Sequence, residues 1–344
     1  MKAAVLYGPG DLRIEEVAKP QVDPESVLIK IDSVGLCGSD IRTIGFGHHR
    51  IKYPQILGHE ITGMVVEIGG AVEGYALGER VYVSPIVPCL KCRACQKNWY
   101  SQCENFTVPG TTIPGGFAEY MLLPKSILER GQVIKIPEGM TYEQAVMTEP
   151  LSSVYAAQEN ADVKLGNIVV VIGLGPIGCM HIQTAKLRGA VKVIAIEVLD
   201  SRLELAKSFG ADEVINSNNA DPVSEVKRLT DGWGADVIIS ANPSTLAQRQ
   251  AIEMAAKRGK VVFFGGVKKG ALTEIDSNIV HYNQLMIIGH YGYDHIDNFN
   301  SFQLIATKKF EVDQYITHVL PLEEIHKGVE LTQRGEAIKV ILKP

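Results

Sequence analysis

From about residue 168 the chain alternates short apolar runs with helix-length amphipathic segments, and this alternation restricts its fold more than any other feature. The runs "VVVIG", "KVIAIE", "EVIN", "DVIIS", "KVVFFG" and "MIIGH" are separated by segments such as "SRLELAKSFG" and "TLAQRQAIEMAAKRG". Six strands with intervening helices predict an α/β fold with a doubly wound parallel sheet. The first run leads into "VVVIGLGPIG", where Gly173, Gly175 and Gly178 are spaced G-x-G-x-x-G between a strand and a helix. Such glycines permit a tight turn, close backbone approach to a pyrophosphate, and close packing of helix on strand. Nineteen residues beyond Gly178, at the end of the second strand, stands Glu197. A carboxylate there is placed to accept hydrogen bonds from a ribose diol and to repel the extra phosphate of NADP, which favours NAD. Arg202 nearby argues the other way, and the bland alternative for Glu197 is a solvated acid at a strand end. Cys179, just past the last glycine, is most simply a small buried residue on the packed helix face.

The first 150 residues have a different grammar. Apolar-alternating runs such as "SVLIKIDSVGLC", "GMVVEIG" and "ERVYVSP" are broken by glycine and proline, which predicts a β-rich, barrel-like domain. A chain of 344 residues exceeds what one core usually holds, so two domains are expected. Its 34 basic and 39 acidic residues leave a net charge of −5, which gives no electrostatic reason to expect nucleic acid or a membrane surface as partner. The opening "MKAAVLYGPGDLRIEE" has no signal-like apolar run, and no stretch of about 18 apolar residues occurs, so a reduced, cytoplasmic setting is the expectation.

Four of the six cysteines fall within "CLKCRACQKNWYSQC", at Cys89, Cys92, Cys95 and Cys103. Cys-x-x-Cys-x-x-Cys would force disulfides into very small loops. Four thiolates from one short segment instead suit the closed tetrahedral S₄ site of a structural zinc, with a redox or iron–sulfur site as the alternative. A second set of metal-type residues is scattered through the first half: Cys37 and Ser39 in "GLCGSD", His59 and Glu60 in "LGHEITG", and Glu149 in "MTEPLSS". Each has a bland reading as a buried thiol, a satisfied histidine or a surface acid. Together, one thiolate, one imidazole and one or two carboxylates are mixed ligation suited to a catalytic zinc with an open position.

The stretch "GHEITGMVVEIGGAV" resembles the signature of the zinc-containing medium-chain dehydrogenases, "CLKCRACQKNWYSQC" resembles that family's structural-zinc lobe, and "VVVIGLGPIG" resembles its cofactor turn. The resemblance runs from the opening segment to the closing "EAIKVILKP", and "GLCGSD" and "EPLSS" are most similar to the polyol branch and to threonine dehydrogenase. It implies a GroES-like β-barrel catalytic domain, residues 1–152 and 290–344, around a Rossmann NAD-binding domain, residues 153–289. It implies two zinc ions per chain. Cys37, His59 and Glu60 or Glu149 would hold the catalytic ion, Cys89, Cys92, Cys95 and Cys103 the structural one, and Ser39 would pass the substrate's hydroxyl proton outward. Cofactor contacts implied beside the glycines, Glu197 and Arg202 are Pro176, Ile177, Val267 and Lys339.

The implied activity is hydride transfer to NAD from a secondary hydroxyl of a polyol, polyol phosphate or sugar acid, by a homodimer or homotetramer. The alternatives are threonine or a simple secondary alcohol as substrate, and a binding protein of the same fold that has lost catalysis. A zinc-ribbon interaction module would leave the dinucleotide fingerprint and "GHE" unexplained. Two departures matter. Arg42 stands where liver-type alcohol dehydrogenases carry a relay histidine, and Gly292 where sorbitol dehydrogenases carry an arginine that orients the polyol, which counts against sorbitol itself. Between the two metal motifs, "IRTIGFGHHRIKYPQ" places Arg42, His48, His49, Arg50 and Lys52 in one segment. It reads either as a solvated basic loop or as a clamp for a phosphate or carboxylate on the far end of the substrate.

Overall fold

Alternating apolar residues in the first part of the chain form eight strands in the computed structural model, which describes all of Met1–Pro344. They are β1 (Lys2–Gly8), β2 (Asp11–Glu16), β3 (Val27–Leu36), β4 (Gln55–Ile56), β5 (Glu60–Ile68), β6 (Arg80–Val83), β7 (Tyr120–Leu123) and β8 (Val133–Lys135). Helix α1 (Gly38–Phe46) follows β3; α2 (Lys125–Arg130), α3 (Tyr142–Val146) and α4 (Thr148–Asn160) come later. Next come β9 (Ile168–Ile172), α5 (Pro176–Leu187), β10 (Lys192–Glu197), α6 (Asp200–Ser208), β11 (Glu213–Asn216), α7 (Pro222–Leu229) and β12 (Ala235–Ser240). The alternation continues through α8 (Thr245–Glu253), β13 (Ala255–Phe263), α9 (Ser277–Tyr282) and β14 (Met286–Gly289). The chain closes with α10 (His295–Ala306), β15 (Ile316–Pro321), α11 (Ile325–Gln333) and β16 (Lys339–Lys343).

These elements form two units, one of Met1–Ser152 with Tyr293–Pro344 and one of Ser153–Gly292. In the second, all six strands are parallel in the order β11-β10-β9-β12-β13-β14, so the order reverses beside β9. Both faces of such a sheet carry helices, and its central strands must therefore be apolar throughout rather than alternating. Val169, Val170 and Val171 of β9 are accordingly fully buried, each contributing on the order of 1.5–3 kcal/mol through burial. The first unit has a small sheet β2-β1-β4 and a larger one running β15-β16-β3-β5-β6-β8, with β7 also paired to β3. No helix is long and apolar enough to cross a membrane.

Register in the larger sheet decides what meets at one edge of the first unit. Strands β3 and β5 are antiparallel with Gly35 opposite Glu60, so Cys37, just past the end of β3, comes alongside His59, just before the start of β5. Strand β16 pairs with the other side of β3, with Val340 opposite Leu36, so Lys339 arrives at the same edge. Three strand ends, more than three hundred residues apart at the extremes, converge there.

Candidate active site

Cys37 is the N-cap of α1, with Asp40 completing the capping box. Asp40 ties two side chains down at once: one oxygen accepts from the Cys37 backbone N–H at 3.0 Å, and the other lies 3.3 Å from His59 Nδ1. Fixing Nδ1 in this way leaves Nε2 free to ligate, the usual outer-sphere arrangement for a metal-binding histidine. Burial alone would lower the His59 pKa, but the Asp40 carboxylate outweighs it and holds the ring well above its ordinary value. The Cys37 sulfur, the His59 imidazole and the Glu60 carboxylate lie within 4.8 Å of one another. Glu60 is fully buried; one of its oxygens forms an ion pair with Lys339 Nζ, while Oε1 has no hydrogen-bond partner. A bare buried carboxylate oxygen beside a thiol and an imidazole is what a divalent cation would satisfy, and the mixed S, N, O donors fit zinc.

Glu149, in the first turn of α4, lies outside that trio. Burial pushes its carboxyl up to about 7, and it accepts a hydrogen bond from the Tyr293 hydroxyl at 3.3 Å. Ser39 is exposed in the first turn of α1, two residues from Cys37, and Arg42 is exposed on the same helix. A zinc held by these residues would supply Lewis acidity that lowers the pKa of an alcohol oxygen.

The four lobe cysteines also converge. Their sulfurs are 3.5 Å apart between Cys92 and Cys95, and 3.9 Å both between Cys89 and Cys95 and between Cys92 and Cys103. A tetrahedron of sulfurs 2.3 Å from a central zinc has edges of about 3.8 Å, whereas a disulfide would need about 2.05 Å. The spacing fits an S₄ ion and excludes disulfides, and the free thiols differ widely. Backbone N–H groups of Cys95 and Glu104 lower Cys92 to about 6, and burial raises Cys95 to about 12. The lobe is anchored by the Ser101 N–H donating to Asp294 at 2.8 Å.

In the second unit the glycines of the fingerprint are sterically required at two positions. Gly173 adopts φ +91° and has no room for a Cβ beside Asn242, and a Cβ on Gly178 would stand 2.0 Å from the Gly173 carbonyl. Gly175 caps α5, with Pro176 and Ile177 as its first residues. Glu197 closes this turn: Oε2 accepts from the Leu174 N–H at 2.9 Å and Oε1 from the Val198 N–H at 2.7 Å. Arg202 donates to the Leu174 carbonyl at 3.0 Å, and Val267 is half-buried beyond β13. Lys339, expected among the cofactor contacts, has its ammonium against Glu60.

Residues 23–138 match the alcohol dehydrogenase GroES-like domain and residues 176–307 the zinc-binding dehydrogenase domain. An L-threonine 3-dehydrogenase of Caldanaerobacter subterraneus subsp. tengcongensis is 36% identical over 94% of this chain and 93% of its own length. The chain belongs to the zinc-type medium-chain alcohol dehydrogenase family. An erythritol/L-threitol dehydrogenase of Mycolicibacterium smegmatis is 34% identical over 100% of this dehydrogenase and 98% of its own length. A zinc-binding dehydrogenase of Sinorhizobium meliloti, solved with NADP bound, superposes with a TM-score of 0.93 at 28% identity, covering 100% of this chain and 99% of that one. The dehydrogenase is an oxidoreductase of the alcohol and polyol type, with the α/β architecture expected from the strand–helix alternation.

Three of its side chains escaped the sequence reading. Asp40 had a local signal, the capping position three residues after Cys37. Tyr293 and Tyr82 had none, because only the tertiary structure carries them toward Glu149.

Proposed function

We propose that this dehydrogenase transfers hydride to NAD from a secondary hydroxyl of a polyol, and that a polyol phosphate or sugar acid is preferred to a free hexitol. The observation carrying the reaction is the trio of Cys37, His59 and Glu60 within 4.8 Å, a mixed donor set that leaves a coordination position for substrate. In this reading each chain holds two zinc ions: one at Cys37 and His59 with Glu60 or Glu149, the other at Cys89, Cys92, Cys95 and Cys103. NAD lies on Gly173, Gly175, Pro176, Ile177 and Gly178, with Glu197, Arg202, Val267 and Lys339 as further contacts.

The preference for an anionic substrate is supported by the loop after α1. The Arg50 guanidinium stacks 4.5 Å over the Phe106 ring and the Arg50 backbone N–H donates to His48 Nδ1, while His48 and His49 stack at 4.7 Å. Burial lowers the His48 pKa, and the positive charge of His49, Arg50 and Arg42 lowers it further, so these cations share one neighbourhood. Threonine is the second reading, favoured by the 36% identity to a threonine dehydrogenase. The exposed Met286 and Ile287 on edge strand β14 support a homodimer or homotetramer.

The test is NADH formation from free polyols, polyol phosphates, aldonates and threonine, with wild type, Arg42→Ala and Arg50→Ala. An anionic substrate should give the highest kcat/KM, and each arginine change should weaken it by more than the ~1 kcal/mol of an exposed charge contact. A neutral polyol on top, untouched by either change, would discard the clamp.

A further inference from the structure

We propose that Tyr293 is a positioning residue that holds Glu149 in register with the metal, supported by a buried hydrogen-bond chain through Tyr82 and Asn298. This rests on the reading above that Glu149 serves the catalytic zinc. The two carboxylates of the site are restrained by different chemistry: Glu60 by the ammonium of Lys339, Glu149 by the phenol of Tyr293. An ammonium competes with a metal ion for a carboxylate's charge. A phenol takes a single lone pair and leaves the charge, so Glu149 is held at Oε1 while its second oxygen stays available.

The phenol is itself held. Tyr293 is 3% exposed, and its hydroxyl stands near those of Tyr82 and Ser84. Tyr82, fully buried on β6, accepts from Asn298 Nδ2 at 2.9 Å. The same amide nitrogen donates to Ser152 Oγ at 2.9 Å, and Ser152 Oγ donates to the Thr148 carbonyl at 2.6 Å. Proton inventory sets the direction of this chain. An amide NH₂ can only donate, an ionised carboxylate can only accept, and each phenol has one hydrogen. With Asn298 donating to the Tyr82 oxygen, the Tyr82 hydrogen is free to go to Tyr293, and that of Tyr293 to Glu149. Each link polarises the next, and the chain ends at the carboxylate. Ser152 and Thr148 belong to the helix that carries Glu149, so the backbone and the side chain of that glutamate are steadied by one network.

The experiment uses the full-length protein stripped of metal and reloaded with cobalt or zinc, comparing wild type with Tyr293→Phe, Tyr82→Phe and Glu149→Gln. Tyr293→Phe keeps the ring and removes only the hydroxyl. It should shift the visible absorption of cobalt at the Cys37 site, weaken zinc binding there by about 10- to 100-fold in chelator competition, and lower kcat with little change in the KM for NAD. Tyr82→Phe should move all three in the same direction by less, and the zinc held by the Cys89–Cys103 lobe should be retained in both. An unchanged cobalt spectrum and zinc affinity in Tyr293→Phe, where Glu149→Gln alters both, would overturn the role of Tyr293 alone. If Glu149→Gln also leaves both unchanged, the assignment of Glu149 to the metal falls as well.

Discussion

Gly35 and Glu60 face each other across β3 and β5, and a Cβ on Gly35 would stand 1.7 Å from Glu60 Oε2 and 2.9 Å from a Val146 methyl. The glycine is there because the fully buried carboxylate occupies the space a side chain would take. Gly35→Ala should therefore displace Glu60, at a cost of roughly 1–3 kcal/mol from overpacking. Metal analysis with thermal melting checks this: a lower Tm and weaker zinc retention at the Cys37 site are expected. Wild-type zinc affinity would show that Glu60 is dispensable to the ion.

Two ions with separate roles should be separable by mutation. Purified wild type should contain about two zinc ions per chain and Cys37→Ser about one, folded but without turnover, because only the S₄ site contributes directly to folding. Cys95→Ser should lose the other ion together with thermal stability. Normal activity in Cys37→Ser would remove that residue from the chemistry.

Glu197 accepts from two backbone N–H groups in the structure and, in the proposed reading, also selects NAD, so its replacement tests both roles. Glu197→Ala removes the acceptor of the Leu174 and Val198 N–H groups as well as the charge that repels a ribose phosphate. The ratio of kcat/KM for NAD to that for NADP should fall, with kcat/KM for NAD itself also reduced. An unchanged ratio would mean that Glu197 closes the turn without selecting the cofactor.

Stability in acid should depend on His181. It is fully buried, its ring edge-on to Phe264 at 4.7 Å, with Gln158 Nε2 3.2 Å from Nδ1. Burial first, and the neighbouring His290 second, lower its pKa to about 3, and burial lowers His290 to about 4. A histidine in the unfolded chain has a pKa of about 6.5, so below that pH the unfolded chain binds the extra proton and stability is lost as pH falls from about 6.5 toward 3 for His181. At pH 5 this amounts to about 2 kcal/mol for His181. Because Glu149 titrates oppositely in this range, the measurement is the difference between wild type and His181→Gln in denaturant unfolding at pH 7 and pH 5. The variant should lose less stability than wild type on acidification; equal losses would show that His181 is not buried neutral.

The sequence alone determined whatever short-range geometry can impose. The period of strands and helices after residue 168 dictates a parallel sheet. Gly178 is demanded by a backbone contact with Gly173 within one turn, and four cysteines within fifteen residues are spaced to converge as an S₄ site needs. The tertiary structure decided what the two carboxylates do. Glu60 meets Lys339 because β16 pairs with β3, and Glu149 meets Tyr293 across 144 residues of chain. Neither partner follows from spacing, since hydrogen bonds and ion pairs between distant segments depend on strand register and helix packing, which form only when the whole core does.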